Sequence, residues 1–154
     1  SDLVYQPGST RHQVGRLMLL AGTLRMANFI TVNQRIPFKW GQWDCNTFVA
    51  SAIDSLNGTN RCNEEIRGRY DTEKSAIRFY RNYVQAEDYL RQMGWEEVNA
   101  QLENTDILLC DQKIFKAAHI VFANKIWSCH KDHGVVCVDG PQYMSMPYTQ
   151  WRRK

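Results

Sequence analysis

Pro37-Phe38-Lys39-Trp40-Gly41-Gln42-Trp43-Asp44-Cys45-Asn46-Thr47-Phe48-Val49-Ala50 is the stretch that decides how this chain is read. A turn-forming, aromatic-rich segment ends at Asp44, and a helical apolar pattern then runs through Phe48, Val49, Ala52, Ile53 and Leu56. The spacing predicts a helix with Asp44 as its N-cap and Cys45 in its first turn. Unpaired N–H groups and the positive end of the helix dipole stabilise a thiolate there, and the thiolate is the nucleophilic form. The competing role for Cys45 is that of a small buried hydrophobe, the common fate of a free cysteine.

The chain has 154 residues, enough for one domain with a core that needs no staples. No apolar run reaches membrane-spanning length, since the stretch from Leu17 to Leu24 is interrupted by Gly22 and Thr23 and flanked by arginines. The first residues lack the sections of a secretory signal, so the chain is expected not to enter the secretory pathway by itself. A net charge of +3 does not mark a nucleic-acid binder, and Arg152-Arg153-Lys154 reads as a solvated basic tail. Cys45, Cys62, Cys110, Cys129 and Cys137 are irregularly spaced and odd in number. That pattern argues for reduced thiols made in a cytosol and against a disulfide framework.

Ser1 to Thr10 is polar, contains Pro7-Gly8 and reads as an arm preceding a domain over 11–154. Helical spacing then predicts a helix from Arg11 to Ala27, followed by extended chain from Val32 to Pro37. The cysteine helix is predicted to stop at Asn57-Gly58, and Thr59 to Tyr70 shows little periodicity. Further helices are predicted to start near Asp71-Thr72-Glu73 and to span Ala86 to Met93. After Gly94 short β-type runs dominate: Trp95–Val98, Asp106–Cys110, His119–Phe122, Lys125–Cys129 and Gly134–Val138. Asn124-Lys125 and Lys131-Asp132-His133-Gly134 read as turns between antiparallel strands. Helices first and strands second give an α+β domain, helices packed on a C-terminal antiparallel sheet.

A thiol nucleophile needs a base within hydrogen-bond reach, and the base needs a polar group to orient it. Of the four histidines, His12 reads as a surface residue and His133 as solvent-facing in a turn. His119 opens the strand Ile120-Val121-Phe122 and His130 ends the next one, so a tight turn between them places both imidazoles near one end of the sheet. One could then serve as base and the other could orient it; packing or surface roles are the alternative. The crowding of Cys129, His130, His133 and Cys137 also suggests zinc, but neither paired-cysteine nor spaced-histidine signatures are present. Successive strand residues such as Cys129 and His130 point to opposite faces. No metal and no cofactor are therefore assigned.

Trp40-Gly41 followed by Asp44-Cys45-Asn46-Thr47-Phe48 resembles the aromatic-Gly and Asp-Cys-Ser-Gly-Phe signature of the NlpC-type papain-like cysteine peptidases. Asp106-Ile107-Leu108-Leu109 resembles that family's Gly-Asp-Leu-Val strand, and His119-Ile120-Val121 its His-Val-Gly strand. His130 and Gly134-Val135 follow in the family's order, so the likeness runs from Pro37 to Val138. The block Pro37 to Cys45, then Arg67-Gly68-Arg69-Tyr70, the short first helix and the Trp151-Arg152 ending are similar to the NlpC-like proteins of bacteriophage tail-gene clusters.

The resemblance implies a papain-like fold and a virion protein at the phage tail tip that cleaves peptide bonds in peptidoglycan. Its partners would be peptidoglycan stem peptides and other tail-tip proteins. Cys45 would be nucleophile, His119 the proton shuttle and His130 its orienting partner, with Asn46 at the substrate and Phe38, Trp40 and Trp43 either lining its cleft or packed in the core. Two positions depart from the family. Phe38 stands where a tyrosine hydroxyl supports the oxyanion, and Asn46-Thr47 replaces Ser-Gly. Losing one oxyanion donor lowers turnover by about 100-fold or more. The alternative expectation is therefore a structural plug or adaptor that keeps the peptidase fold, and Arg67 and Arg69 are expected in structural ion pairs rather than on a substrate carboxylate.

Overall fold

A computed structural model describes residues 7, 8, 10–112, 114–144 and 146–154. Most of the arm read from Ser1 to Thr10 lies outside the described residues. The cysteine helix forms where its pattern puts it, as α2 (Cys45–Asn57). Asp44 Oδ1 accepts from the Asn46 and Thr47 N–H groups at 3.0 and 2.9 Å, and Thr47 Oγ1 accepts from the Asp44 N–H at 2.7 Å. This reciprocal capping satisfies N–H groups that the helix itself cannot. Gly58, left-handed at φ 68°, ends the helix. Nearly every residue from Asn46 to Leu56 is buried, so α2 runs through the core.

α1 (Arg11–Val32) is capped by Thr10 and continues beyond the predicted stop at Ala27, as far as Val32, the first residue read as extended chain. Ile30 and Thr31 are poor helix formers, but Met26 and Ile30 are buried in the core, and that packing overrides local propensity. α3 (Arg61–Ile66) was not legible from local pattern. Its first N–H groups, on Cys62 and Asn63, donate to the Asp54 carboxylate of α2 at 3.0 and 2.9 Å. A cap supplied by another helix leaves no local signature. α4 (Glu73–Asn82) starts within the predicted Asp71-Thr72-Glu73, with Thr72 as its cap, and α5 (Ala86–Gln92) precedes Gly94 at φ 88°.

Six strands follow among the described residues: β1 (Trp95–Val98), β2 (Ile107–Asp111), β3 (Lys116–Phe122), β4 (Lys125–His130), β5 (Gly134–Val138) and β6 (Tyr148–Arg153). They form one sheet in the order β1-β6-β2-β3-β4-β5, and every pairing is antiparallel. The architecture is α+β. One sheet face carries Ile107, Leu109, Ala118, Ile120 and Trp151 into the core shared with the helices. The other carries a small cluster of Leu108, Val121 and Ile126. The β3–β4 turn sits one residue earlier than predicted, on Ala123 and Asn124 at φ 54° and 61°. No helix among the described residues is long and apolar enough to cross a membrane.

The basic C-terminus is not a solvated tail. It is β6, inserted between β1 and β2, with Trp151 fully buried. Arg152 Nε and Nη2 donate to Asp106 Oδ1 and Oδ2 at 2.9 and 2.8 Å, and Gln150 Nε2 and the Glu103 N–H also donate to Oδ2. Burial pushes the Asp106 carboxyl up, but the Arg152 hydrogen bonds, helped by Glu103 and Gln150, outweigh it and hold it below its ordinary value. A carboxyl depressed on folding adds stability above its unfolded pKa and loses it as pH falls through the folded one. Denaturant titrations are expected to show stability falling from about pH 4 downward, where unfolded aspartates titrate. Asp106→Asn should flatten that acid limb; an unchanged limb contradicts this assignment.

Candidate functional site

Cys45 is half-buried at the N-terminus of α2 and lines a cleft of about 390 Å³. Phe38 and Trp40 form one wall, edge to face with centroids 4.9 Å apart, and His119 and His130 also border the cleft. The segment before Cys45 is held by its own turn. Lys39 and Trp43 pair across it, Gly41 sits at φ 80°, and Asp44 Oδ2 accepts from the Gly41 N–H at 2.9 Å. Tyr70 Oη donates to the same oxygen at 2.7 Å and meets Tyr80 Oη at 2.5 Å. Asp44 thus organises both the turn and the helix start from a site with almost no solvent access.

Asn46 takes the place of a strand residue. The β3–β4 ladder pairs only Ile120 with Trp127, Val121 with Ile126, and Phe122 with Lys125, although both strands run further. Beyond it, Asn46 Oδ1 accepts from the Ala118 N–H at 2.9 Å and Nδ2 donates to the Lys116 carbonyl at 3.1 Å. Ser128 Oγ donates to the Ala118 carbonyl at 2.9 Å. One side-chain amide therefore satisfies backbone groups that a continuous sheet would pair. The Cys45 thiol donates to Asn46 Oδ1 at 3.7 Å.

Strand alternation then decides what faces the thiol. Ala118 and Ile120 belong to the helix-side core with Cys45, whereas Val121 belongs to the opposite face. His119 lies on that opposite face, where its Nδ1 meets Cys110 Sγ at 3.5 Å. His130 Nδ1 accepts from the Asp132 N–H at 3.1 Å, and its ring stacks on His133 at 5.1 Å. Among the described residues, no hydrogen bond joins Cys45, His119 and His130 to one another. Nor does any group of three or more His, Cys, Asp or Glu side chains there stand close enough to hold a metal ion.

The electrostatics run against the helix-dipole expectation. Burial, then the Asp44 charge, pushes the Cys45 thiol well above its ordinary value, and contacts from Ala118 and Asn46 backbone only partly oppose this. Burial also holds the His119 imidazole below its usual pKa. Cys129, which donates to the Trp43 carbonyl at 3.3 Å, is pushed up to about 12 by burial and then by Asp44. The capping carboxylate that builds the helix start therefore works against a thiolate beside it.

Trp43, expected to line the cleft, is buried in the core against Phe29 and Phe48 and faces a different groove. Arg67 makes no ion pair among the described residues. Its Nη2 and Nε donate to Ser51 Oγ and Asn63 Oδ1, and its guanidinium lies 6.0 Å from the Trp43 ring centroid. Arg69 lies over the Phe79 ring at 5.9 Å. Sequence reading missed the Asn46 bridge and the Tyr70–Tyr80–Asp44 cluster. A signal for the second was present in Arg67-Gly68-Arg69-Tyr70, where Gly68 donates its N–H to the Gly41 carbonyl and so places Tyr70 beneath the turn.

No curated protein matches the chain. The model of one protein family, described as "Domain of unknown function (DUF6950)", matches residues 20–146. That span takes in the helix-start turn, α2, the cleft and five of the six strands, so this chain belongs to the DUF6950 family.

Proposed function

We propose that the chain is a papain-like, NlpC-type domain that serves as a structural plug or adaptor at a bacteriophage tail tip, with a cleft that binds without cutting. The observation that carries this reading is the state of Cys45: a half-buried thiol, raised in pKa, held on Asn46 with Ala118 beside it and, among the described residues, no imidazole bonded to it. A nucleophilic cysteine requires a thiolate or a base positioned to make one. The resemblance over Pro37 to Val138 supports the NlpC-type architecture and the tail-tip setting, and Phe38 in place of an oxyanion-supporting tyrosine agrees with lost turnover.

A second reading, a cysteine hydrolase cutting peptidoglycan stem peptides, is favoured by one observation: His119 and His130 border the same cleft as Cys45. Iodoacetamide labelling at neutral pH separates the two. On the adaptor reading, exposed Cys137 is alkylated first and Cys45 lags. A zymogram on purified cell wall should then show no lysis above background by either wild type or Cys45→Ala. Preferential labelling of Cys45, with lysis abolished in Cys45→Ala, establishes the hydrolase.

A further inference from the structure

We propose that the groove between α1, α2 and α3, separate from the Cys45 cleft, binds an acidic peptide segment of a partner protein, with Arg67 as its carboxylate receptor. The groove measures about 810 Å³, at the upper end of the range for ligand sites and far more than one small anion fills. Its charge is one-sided. Arg25, Lys39 and Arg67 line it against the carboxylate of Asp54, whose oxygens are already taken by the Cys62 and Asn63 N–H groups and Thr59 Oγ1.

Arg67 is built as a receptor. Two of its five N–H donors are spent on neutral acceptors, Ser51 Oγ at 2.7 Å and Asn63 Oδ1 at 3.2 Å. The half-buried guanidinium is thereby fixed over Trp43 with donors to spare and no carboxylate partner among the described residues. A planar, oriented guanidinium of this kind matches the two oxygens of a carboxylate. Arg25 likewise spends its hydrogen bonds on the Ser55 and Leu56 carbonyls. Beneath Arg67, Trp43 is only 5% exposed and its Nε1 is buried with no acceptor among the described residues. Such an orphan donor is uncommon in a folded protein.

The remaining walls indicate a peptide in preference to a lone anion. Asn28 and Gln42 present amides suited to backbone N–H and C=O groups, while Phe29 and Val32 offer apolar surface. The inference does not depend on the state of Cys45.

Titration of 15N-labelled protein with a hexapeptide alternating leucine and glutamate tests it. The Trp43 Nε1–H and Arg67 Nε–H resonances are expected to shift saturably. Binding should weaken roughly tenfold with the glutamine analogue and with Arg67→Gln, and should weaken as salt rises. Lys39→Ala alters an exposed rim residue, leaves the core intact, and should weaken binding about threefold by removing one near-surface charge. Unmoved Trp43 and Arg67 resonances at millimolar peptide overturn the proposal. So does equal binding of the glutamine analogue, or saturation of the same resonances by inorganic phosphate alone at the same concentration.

Discussion

Gly41→Ala is expected to lower the stability of this protein more than any other single methyl group added to it. A Cβ at Gly41 would sit 1.7 Å from the Tyr70 carbonyl oxygen and 2.8 Å from its carbon, both backbone atoms with nowhere to go. The residue is also at φ 80°, where a side chain meets its own backbone. Left-handed strain and forced overpacking together amount to about 2–5 kcal/mol. The displaced strand of chain is the one that seats Tyr70 against Asp44 and Gly68 against Gly41, so the turn, the helix cap and the Tyr70–Tyr80 contact should loosen together. Urea denaturation of Gly41→Ala checks this directly. A midpoint matching wild type means the close approach of Gly41 to Tyr70 does not exist in solution.

Asp44→Ala should have the next largest effect, for a different reason. The carboxylate accepts from Asn46 and Thr47 at the helix start, from the Gly41 N–H, and from Tyr70 Oη. Losing the cap costs about 1–2 kcal/mol, and leaving the Gly41 donor buried without an acceptor costs about as much again. The expected loss is about 3 kcal/mol, read as a fall of roughly 6–12 °C in Tm for a domain of this size. Asp44→Asn separates structure from electrostatics. It keeps one cap acceptor while removing the charge that, after burial, does most to raise the Cys45 thiol. Cys45 in Asp44→Asn should therefore react faster with iodoacetamide than in wild type. A slower reaction would mean that the carboxylate activates the thiol, and the adaptor reading would lose its main support.

The arrangement makes sense of residues that depart from a peptidase pattern. Asn46, next to the thiol, closes the gap where β3 and β4 part, tying the start of α2 to Lys116 and Ala118. A serine at that position could not span both backbone groups. The Cys45 thiol also donates to that amide oxygen, while burial and then the Asp44 charge at the same helix start push the thiol up. Structural economy at this corner and nucleophilic chemistry pull in opposite directions.

Local pattern was enough for α2 and its two caps, for the start of α4 near Asp71-Thr72-Glu73, for the sheet-rich second half, and for the α+β class. Each depends on neighbours in sequence: Asp44 reaches Asn46 and Thr47, and Gly58 alone among nearby residues turns left-handed without strain. Packing between distant segments decided the rest. α1 continues through β-branched residues because Met26 and Ile30 find a core, and α3 starts on a carboxylate borrowed from α2. A basic tail becomes an interior strand because Asp106 waits for Arg152.

The site divides along the same line. That Cys45 begins a helix beside Phe38 and Trp40 is written in the chain. That His119 turns to Cys110 while Ala118 meets Asn46 is a matter of strand phase, in which a single residue's register exchanges the faces of the sheet.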